Sequence, residues 1–269
     1  MPSGPVRVAA LIPARYASSR YPGKALVELK GASGTPKPLI QRTYEAARRV
    51  KGLDSIHVAT DDERIAVAAK VVGAPVIMTS SECRNGTERC AEALAELDSP
   101  DLVVNLQGDA LLTPPDFIEA LIERMRSGGA EVATPALRLS SEEVRALQDE
   151  EAAGRVGGTT LVTDSAGHAL YFSKRLIPHL PGGALDGELS PVRLHVGVYA
   201  YRPDALAAYS ASPPAELEEL EGLEQLRFLV AGIPVAVVEV KPPPFALREL
   251  NNPEDVAPIE EALARAGIK

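Results

Sequence analysis

The sequence contains no apolar run approaching the ~20 residues needed to cross a bilayer. Its start, MPSGPVRVAALIPAR, lacks the layout of a signal peptide, because the apolar core is short and arginines follow it. The cytoplasm is therefore the expected compartment, with no membrane insertion. Positive charge is also scarce: 28 Lys and Arg stand against 37 Asp and Glu, for a net charge of −9. A general nucleic-acid or anionic-membrane binder needs a basic face, so neither class fits, and any anionic ligand must be met by a local basic cluster. Cysteine is limited to Cys83 and Cys90. Their spacing, CRNGTERC, is too wide for a CxxC redox motif, and no nearby Cys or His completes a zinc site. Both are expected to be reduced, structural thiols. There is no Gly-rich phosphate cradle of the Walker or dinucleotide type. The chain also lacks an internal repeat or a long linker, and its 23 prolines and 21 glycines are dispersed over many loops.

What is present is an alternation of short apolar runs and helical patterns. VRVAALI (6–12), SIHVAT (55–60), APVIM, DLVVNL (101–106) and EVATPALRL (131–139) read as strands. Between them, residues 37–50, DERIAVAAKVV, GTERCAEALAEL and PPDFIEALIERM read as helices. This βαβα rhythm predicts a mostly parallel, Rossmann-like sheet covered by helices, with strands buried on both faces. After residue 140 the rhythm changes. SSEEVRALQDEEAAG reads as a helix with a capping-box start. TTLVTD and AGHALYFSK read as strands joined by a hairpin at Asp164–Gly167, and RLHVGVYAYR as a further strand. PAELEELEGLEQLRFLVAG (214–232) reads as one amphipathic helix, PVAVVEV as a strand and NPEDVAPIEEALARAG as a last helix. The expectation is one domain over 1–269 with an antiparallel insertion at 140–205.

Ligands of doubly wound sheets bind beyond the carboxyl ends of the strands. There the sequence collects polar and charged groups. After the first strand comes the basic loop LIPARYASSRYPGK, with Arg15, Arg20 and Lys24; after the second come Thr60, Asp61 and Asp62; after the third, SECRNGTER; after the fourth, Gln107, Gly108 and Asp109. Arg15 and Lys24 can neutralise a polyphosphate, and the small Ala17, Ser18 and Ser19 let backbone approach it. Asp109 is placed to hold Mg2+, a hard cation that takes few carboxylates and shares phosphate oxygens.

IPARYASSRYPGK, ATDDERIA, NGTERCAEAL, VVNLQGD, YFSKRLIP, HVGVYAYR, LEQLRFL and NPEDV follow one another in an order that resembles the CMP-Kdo synthetases (3-deoxy-manno-octulosonate cytidylyltransferases) over essentially the whole chain. The resemblance implies a Mg2+-dependent reaction in which CTP and a 3-deoxy-2-ulosonic acid give the CMP-sugar and pyrophosphate, within lipopolysaccharide biosynthesis. It assigns Arg15, Lys24 and Arg20 to the triphosphate, Lys24, Asp109 and Arg15 being the catalytic set. It places Ala14, Gly86, Thr87, Glu88 and Arg89 near cytosine and ribose, and Gln107 between nucleotide and sugar. His195, Tyr199, Glu224 and Gln225 fall to the acceptor. A homodimer built on the antiparallel strands is also implied.

Some positions depart from the resemblance. Ala110 and Leu111 follow Asp109 where an acid and a proline are usual, and VGGTTLV replaces a stretch that tends to carry a basic residue. Lys174 stands for arginine, and KGASGTPKP lengthens the loop before the first helix. Asn251 takes the place of an aspartate that serves as the second metal ligand; a neutral amide ligates Mg2+ more weakly than a carboxylate. These changes fall in the metal and sugar half. They leave open a Kdo-like acceptor, a different carboxylated or phosphonate acceptor, or a non-catalytic nucleotide-binding protein.

Overall fold

The computed structural model describes residues 6–18 and 20–269; Ser19 of the basic loop lies outside them. Strand β1 (Val8–Ala14) is buried along its whole length. The basic loop then runs into a single 3-10 turn, Lys24–Leu26. Strands β2 (Glu28–Lys30) and β3 (Pro36–Pro38) pair antiparallel as a separate ribbon, so the lengthened loop 30–38 is the turn of a small hairpin. There follow α1 (Leu39–Ala47), β4 (Ser55–Thr60), α2 (Glu63–Val71), β5 (Val76–Met78), α3 (Gly86–Leu94), β6 (Leu102–Leu106), α4 (Pro115–Arg126) and β7 (Val132–Ser140). Local chemistry marks the starts. Asp62 caps α2 and Asn85 caps α3, each accepting from backbone N–H groups of the first turn. Pro115 opens α4, where its missing N–H costs nothing. Ser140 and Glu143 form the expected capping box of α5 (Ser141–Ala152).

The rest comprises β8 (Thr160–Thr163), β9 (Ala169–Ser173), β10 (Leu189–His195), β11 (Val198–Tyr201), α6 (Pro203–Ala211), α7 (Glu216–Glu221), α8 (Leu226–Val230), β12 (Val235–Val240) and α9 (Val256–Arg265). One ten-stranded sheet runs in the order β5-β4-β1-β6-β11-β7-β10-β8-β9, with β12 on β7. Strands β5, β4, β1 and β6 are parallel, as is the pair β12–β7. The antiparallel strands pair directly with this framework: β11 lies between β6 and β7, and β10 joins β7 to β8. They extend the main sheet rather than forming a layer of their own. A bridge between His168 and Ala236 brings the start of β9 back to β12 and curls that end of the sheet.

Alternation along β1 sorts the core. Val8, Ala10, Ile12 and Ala14 pack with apolar residues of α1, α2 and α4 on one face. Leu11 packs on the other with residues of α3, α6 and α8. The result is three layers, helices on both faces of the sheet, which exposes its strand ends at one edge. Among the described residues no helix is long and apolar enough to cross a membrane.

Three segments differ from expectation. The stretch 214–232 is two helices, because Gly222 takes a left-handed φ of 59° and ends α7. Its leucines recur every third residue, a spacing that drifts about 60° per step around an α-helix. Leu220 is therefore exposed while Leu226 is buried, and the chain must turn to bury the second half. RLHVGVYAYR is likewise two strands. His195 faces Ala136 and Ala200 faces Ala133, so two extra residues are taken up at Val196 and Gly197. Helix α6 has no counterpart in the sequence reading; its ALAAY stretch (205–209) buries Ala205, Leu206 and Tyr209.

Gly108 locks the ends of β1 and β6 together. Its N–H donates to the Pro13 carbonyl at 3.2 Å, and a Cβ there would lie 2.8 Å from that same oxygen. Gly108→Ala is expected to lower stability by about 1–3 kcal/mol through overpacking. Urea unfolding measures this; an unchanged midpoint would show that the two strand ends separate freely.

Candidate active site

At the carboxyl edge of β1 and β6 lies an open cavity of about 1190 Å³. That exceeds the ~300–1,000 Å³ of pockets for one drug-sized ligand, so two substrates can share it. Of the residues assigned to the site from the sequence, all line it except Thr87 and Glu88. Thr87 is fully buried, with its hydroxyl 3.0 Å from that of Tyr201.

One end is basic. Arg15 donates to the Arg84 carbonyl at 3.2 Å, its one side-chain hydrogen bond among the described residues, which leaves most of its donors for a ligand. Arg20 donates to the Asn251 amide oxygen at 2.7 Å. Lys24 and Asp109 form an ion pair beneath them, both largely buried at 21% and 14% side-chain exposure. The left-handed Gly23 makes the turn that delivers Lys24; a Cβ there would meet the Tyr16 ring at 2.9 Å.

The start of α3 forms the floor. Gly86 carries no side chain where a Cβ would lie 2.7 Å from the Gln107 amide nitrogen, so Gln107 packs directly onto the helix end. Glu224 accepts from Gln107 and from the Thr87 N–H, each at 3.2 Å, and Asn85 accepts from the Glu88 N–H. The donors of this helix end are therefore largely met by protein, and the basic loop carries the anion-binding capacity. Burial pushes the Glu224 carboxyl up, and the N–H groups of Thr87 and Gly86 oppose it. Arg89 is 2% exposed and is held by Thr79, with Asp61 at 3.6 Å.

The opposite end is neutral and aromatic. Thr134 donates its hydroxyl proton to the Val198 carbonyl at 2.9 Å, so His195 Nε2, 3.0 Å away, must be the donor to that hydroxyl. This assigns the Nε2–H tautomer and leaves Nδ1 as an acceptor. Burial lowers the His195 pKa to about 3, so the ring stays neutral. Tyr199 lies behind it, ring centroids 5.5 Å apart. Gln225 is 2% exposed, and its Nε2 has no hydrogen-bond partner among the described residues. The break between α7 and α8 puts Glu224 and Gln225 in a turn rather than mid-helix, which lets both face the cavity. Lys174 stands at the rim, its ammonium 2.7 Å from where a Cβ on Gly222 would be.

Arg227 ties the two ends together. It is 2% exposed, grips Glu218 through Nε and Nη2 at 2.7 and 2.5 Å, and reaches Glu88 at 3.0 Å. Its guanidinium also lies 4.1 Å over the Tyr209 ring. Burial works against the charge, but the bonds to Glu218 and Glu88 outweigh it and raise the pKa further. Sequence reasoning passed over this residue, although GTER and LEQLR already contained both Glu88 and Arg227. It also missed Glu249, whose carboxyl lies within the cavity; the segment RELNN has no periodic pattern to single it out.

The chain matches the cytidylyltransferase family over residues 9–239. It is 40% identical over 262 residues to the 3-deoxy-manno-octulosonate cytidylyltransferase of Maricaulis maris, covering 97% of this chain and 98% of that one. It is 43% identical over 251 residues to that of an Anaeromyxobacter species, covering 93% and 94%. The chain belongs to the 3-deoxy-manno-octulosonate cytidylyltransferase family. Its fold superposes, with a TM-score of 0.82 and 34% identity over 97% of this chain and 99% of the other, on a solved CMP:2-keto-3-deoxy-manno-octonic acid synthetase complexed with CTP. In this member of the 3-deoxy-manno-octulosonate cytidylyltransferase family, Ala110 and Leu111 are buried in apolar clusters and present no charge to the cavity. No group of three or more His, Cys, Asp or Glu able to hold a metal occurs among the described residues. Asp109 alone, or with one further oxygen donor, suits Mg2+, which keeps waters and phosphate oxygens in its shell.

Arg227→Met removes the partner of two largely buried carboxylates. It is expected to cost about 3–5 kcal/mol in urea unfolding; a loss below 1 kcal/mol would show the clamp to be dispensable. For His195, the folded pKa of about 3 lies below the ordinary 6.5. The unfolded chain therefore binds the extra proton, and stability falls as the pH drops from 6.5 towards 3. His195→Gln is expected to flatten that slope by up to one proton; an identical slope in both proteins would contradict the assignment.

Proposed function

We propose that this protein transfers CMP from CTP to the anomeric hydroxyl of a 3-deoxy-2-ulosonic acid of the Kdo type, releasing pyrophosphate. The observation that carries the reading is the Lys24–Asp109 ion pair at the seam of one cavity, with Arg15 and Arg20 on one side and His195, Glu224 and Gln225 on the other. Arg15 and Lys24 offset the charge of a triphosphate on an otherwise acidic protein, and they stabilise charge that grows on the phosphate oxygens during transfer. Gln107, packed on the bare backbone of Gly86, supports the base and ribose. His195 Nδ1 accepts from a sugar hydroxyl, and the unpartnered Gln225 Nε2 donates to a carboxylate or hydroxyl oxygen. Lys174, at the rim, adds positive charge for an acid. Held this way, hydroxyl and α-phosphorus are brought together by positioning.

Asp109 is the proposed holder of Mg2+, which when bound would polarise the phosphate and lower the pKa of the attacking hydroxyl. The proposal extends to a cytoplasmic step of lipopolysaccharide biosynthesis and to a homodimer through β8–β10. Exposed Leu170 on β9 and Leu189 on β10 support such pairing, since it would cover apolar surface. A monomeric mass in solution would remove the dimer from the proposal.

Pyrophosphate release from CTP and Mg2+, assayed over a panel of ulosonic and other carboxylated acids, tests the reaction. Kdo is expected to support turnover best, and Lys24→Ala to lower kcat/KM by about 100-fold or more, as for loss of a donor to developing charge. CTP binding without turnover on any acid would instead indicate a nucleotide-binding protein. An unchanged rate in Lys24→Ala would remove the phosphate role of the basic loop.

A further inference from the structure

Asn251, the residue expected to face the metal with Asp109, is already engaged. Its amide oxygen accepts from Arg20 at 2.7 Å, and its backbone N–H donates to Asp255 at 3.0 Å. An oxygen committed to a guanidinium is poorly available to a cation. Two residues earlier in the same irregular segment, Glu249 sends its carboxylate into the cavity. Its Oε1 lies 3.4 Å from where a Cβ on Gly197 would sit, at the bulge between β10 and β11. Burial and the nearby Asp109 charge push its pKa up, while Lys24, a hydrogen bond with the Asn251 side chain and Arg20 oppose that rise. Both carboxylates thus border one cavity, and the Lys24 ammonium is paired with that of Asp109. The carboxylate donors offered there are hard oxygens, the kind Mg2+ takes.

We propose that Glu249, not Asn251, is the second protein carboxylate for a divalent cation held by Asp109. This rests on the reading that Asp109 holds such a cation. The position that lost a carboxylate, Asn251, keeps an oxygen that positions Arg20 over the basic end, while the negative charge moves two residues back along the chain. The donor count then stays at two carboxylates, within what Mg2+ takes from protein while leaving room for water and phosphate.

The test is binding of Mn2+ alone, followed by loss of the free-ion paramagnetic resonance signal, with the full-length protein and without nucleotide. Glu249→Gln is expected to weaken Mn2+ binding by about tenfold, in the range seen when groups supporting a metal are lost. Asp109→Asn weakens it at least as much, and Asn251→Ala, which removes a hydrogen bond to the Glu249 carboxylate, weakens it less than Glu249→Gln does. Glu249→Gln keeps the size and shape of the side chain, so it is expected to melt as the unsubstituted protein does, which separates metal loss from misfolding. If Glu249→Gln binds Mn2+ like the unsubstituted protein while Asp109→Asn does not, the Glu249 assignment is overturned and the Asp109 cation stands. If Asn251→Ala costs as much as Glu249→Gln, the amide is a ligand after all and the assignment fails. If the unsubstituted protein retains no Mn2+, both readings fall together.

Discussion

A guanidinium at 2% exposure must have its charge answered by protein, and much of the site hangs on how Arg227 is answered. Glu218 and Glu88 come from different helices, α7 and α3, and Arg227 itself from α8. Two very short helices, α7 and α8, are thereby tied to the nine-residue α3 at one point. Helices of five or six residues are far below the length at which propensity stabilises a helix in water. Their geometry is therefore a product of this clamp and of the packing of Leu226 and Phe228. The turn between α7 and α8, where Glu224 and Gln225 project, is fixed as a consequence. Glu224 then closes the circuit by accepting from the first turn of α3 and from Gln107.

The same economy governs charge. The chain carries a net charge of −9, yet its cavity gathers Arg15, Arg20, Lys24, Arg84 and Lys174. Several of these are held by local acceptors: Lys24 by Asp109, Arg84 by Glu88, Arg20 by an amide oxygen. A cation held in place before its ligand arrives loses less side-chain entropy on binding. The cost is that some of these bonds must be exchanged when an anion binds. Arg84 is half exposed, so water can replace its bond to Glu88 and the exchange is inexpensive there. The Lys24–Asp109 pair is more enclosed, which makes it the contact whose exchange matters most.

Much of this could be read from the chain because local and global signals agree. SIHVAT is a strand at the same six residues in sequence and structure, and the Ser140–Glu143 box opens α5 where the pattern places it. The strand ends gather the basic loop, the start of α3 and Asp109 because parallel strands all finish on one edge. Failures occur where tertiary packing overrides a pattern. A leucine every third residue resembles a helical stripe, yet Gly222 breaks it. HVGVYAYR resembles one strand, yet Val196 and Gly197 bulge from it. Thr87 resembles a site residue because it sits in GTER, but its hydroxyl is spent on Tyr201. Glu249 lies in a segment without regular structure, and periodicity is silent there.

The off-pattern positions around Asp109 are not of one kind. Ala110 borders the cavity but, like Leu111, is buried against apolar neighbours. Their apolar character belongs to packing beneath the site. Asn251 is different, since its oxygen faces the cavity and holds Arg20. A carboxylate in its place would pair with that guanidinium more strongly and compete with the phosphate for it. The amide keeps Arg20 in position with a weaker bond that an anion can displace. The amide thus leaves the Arg20 guanidinium more available to an anion than a carboxylate would.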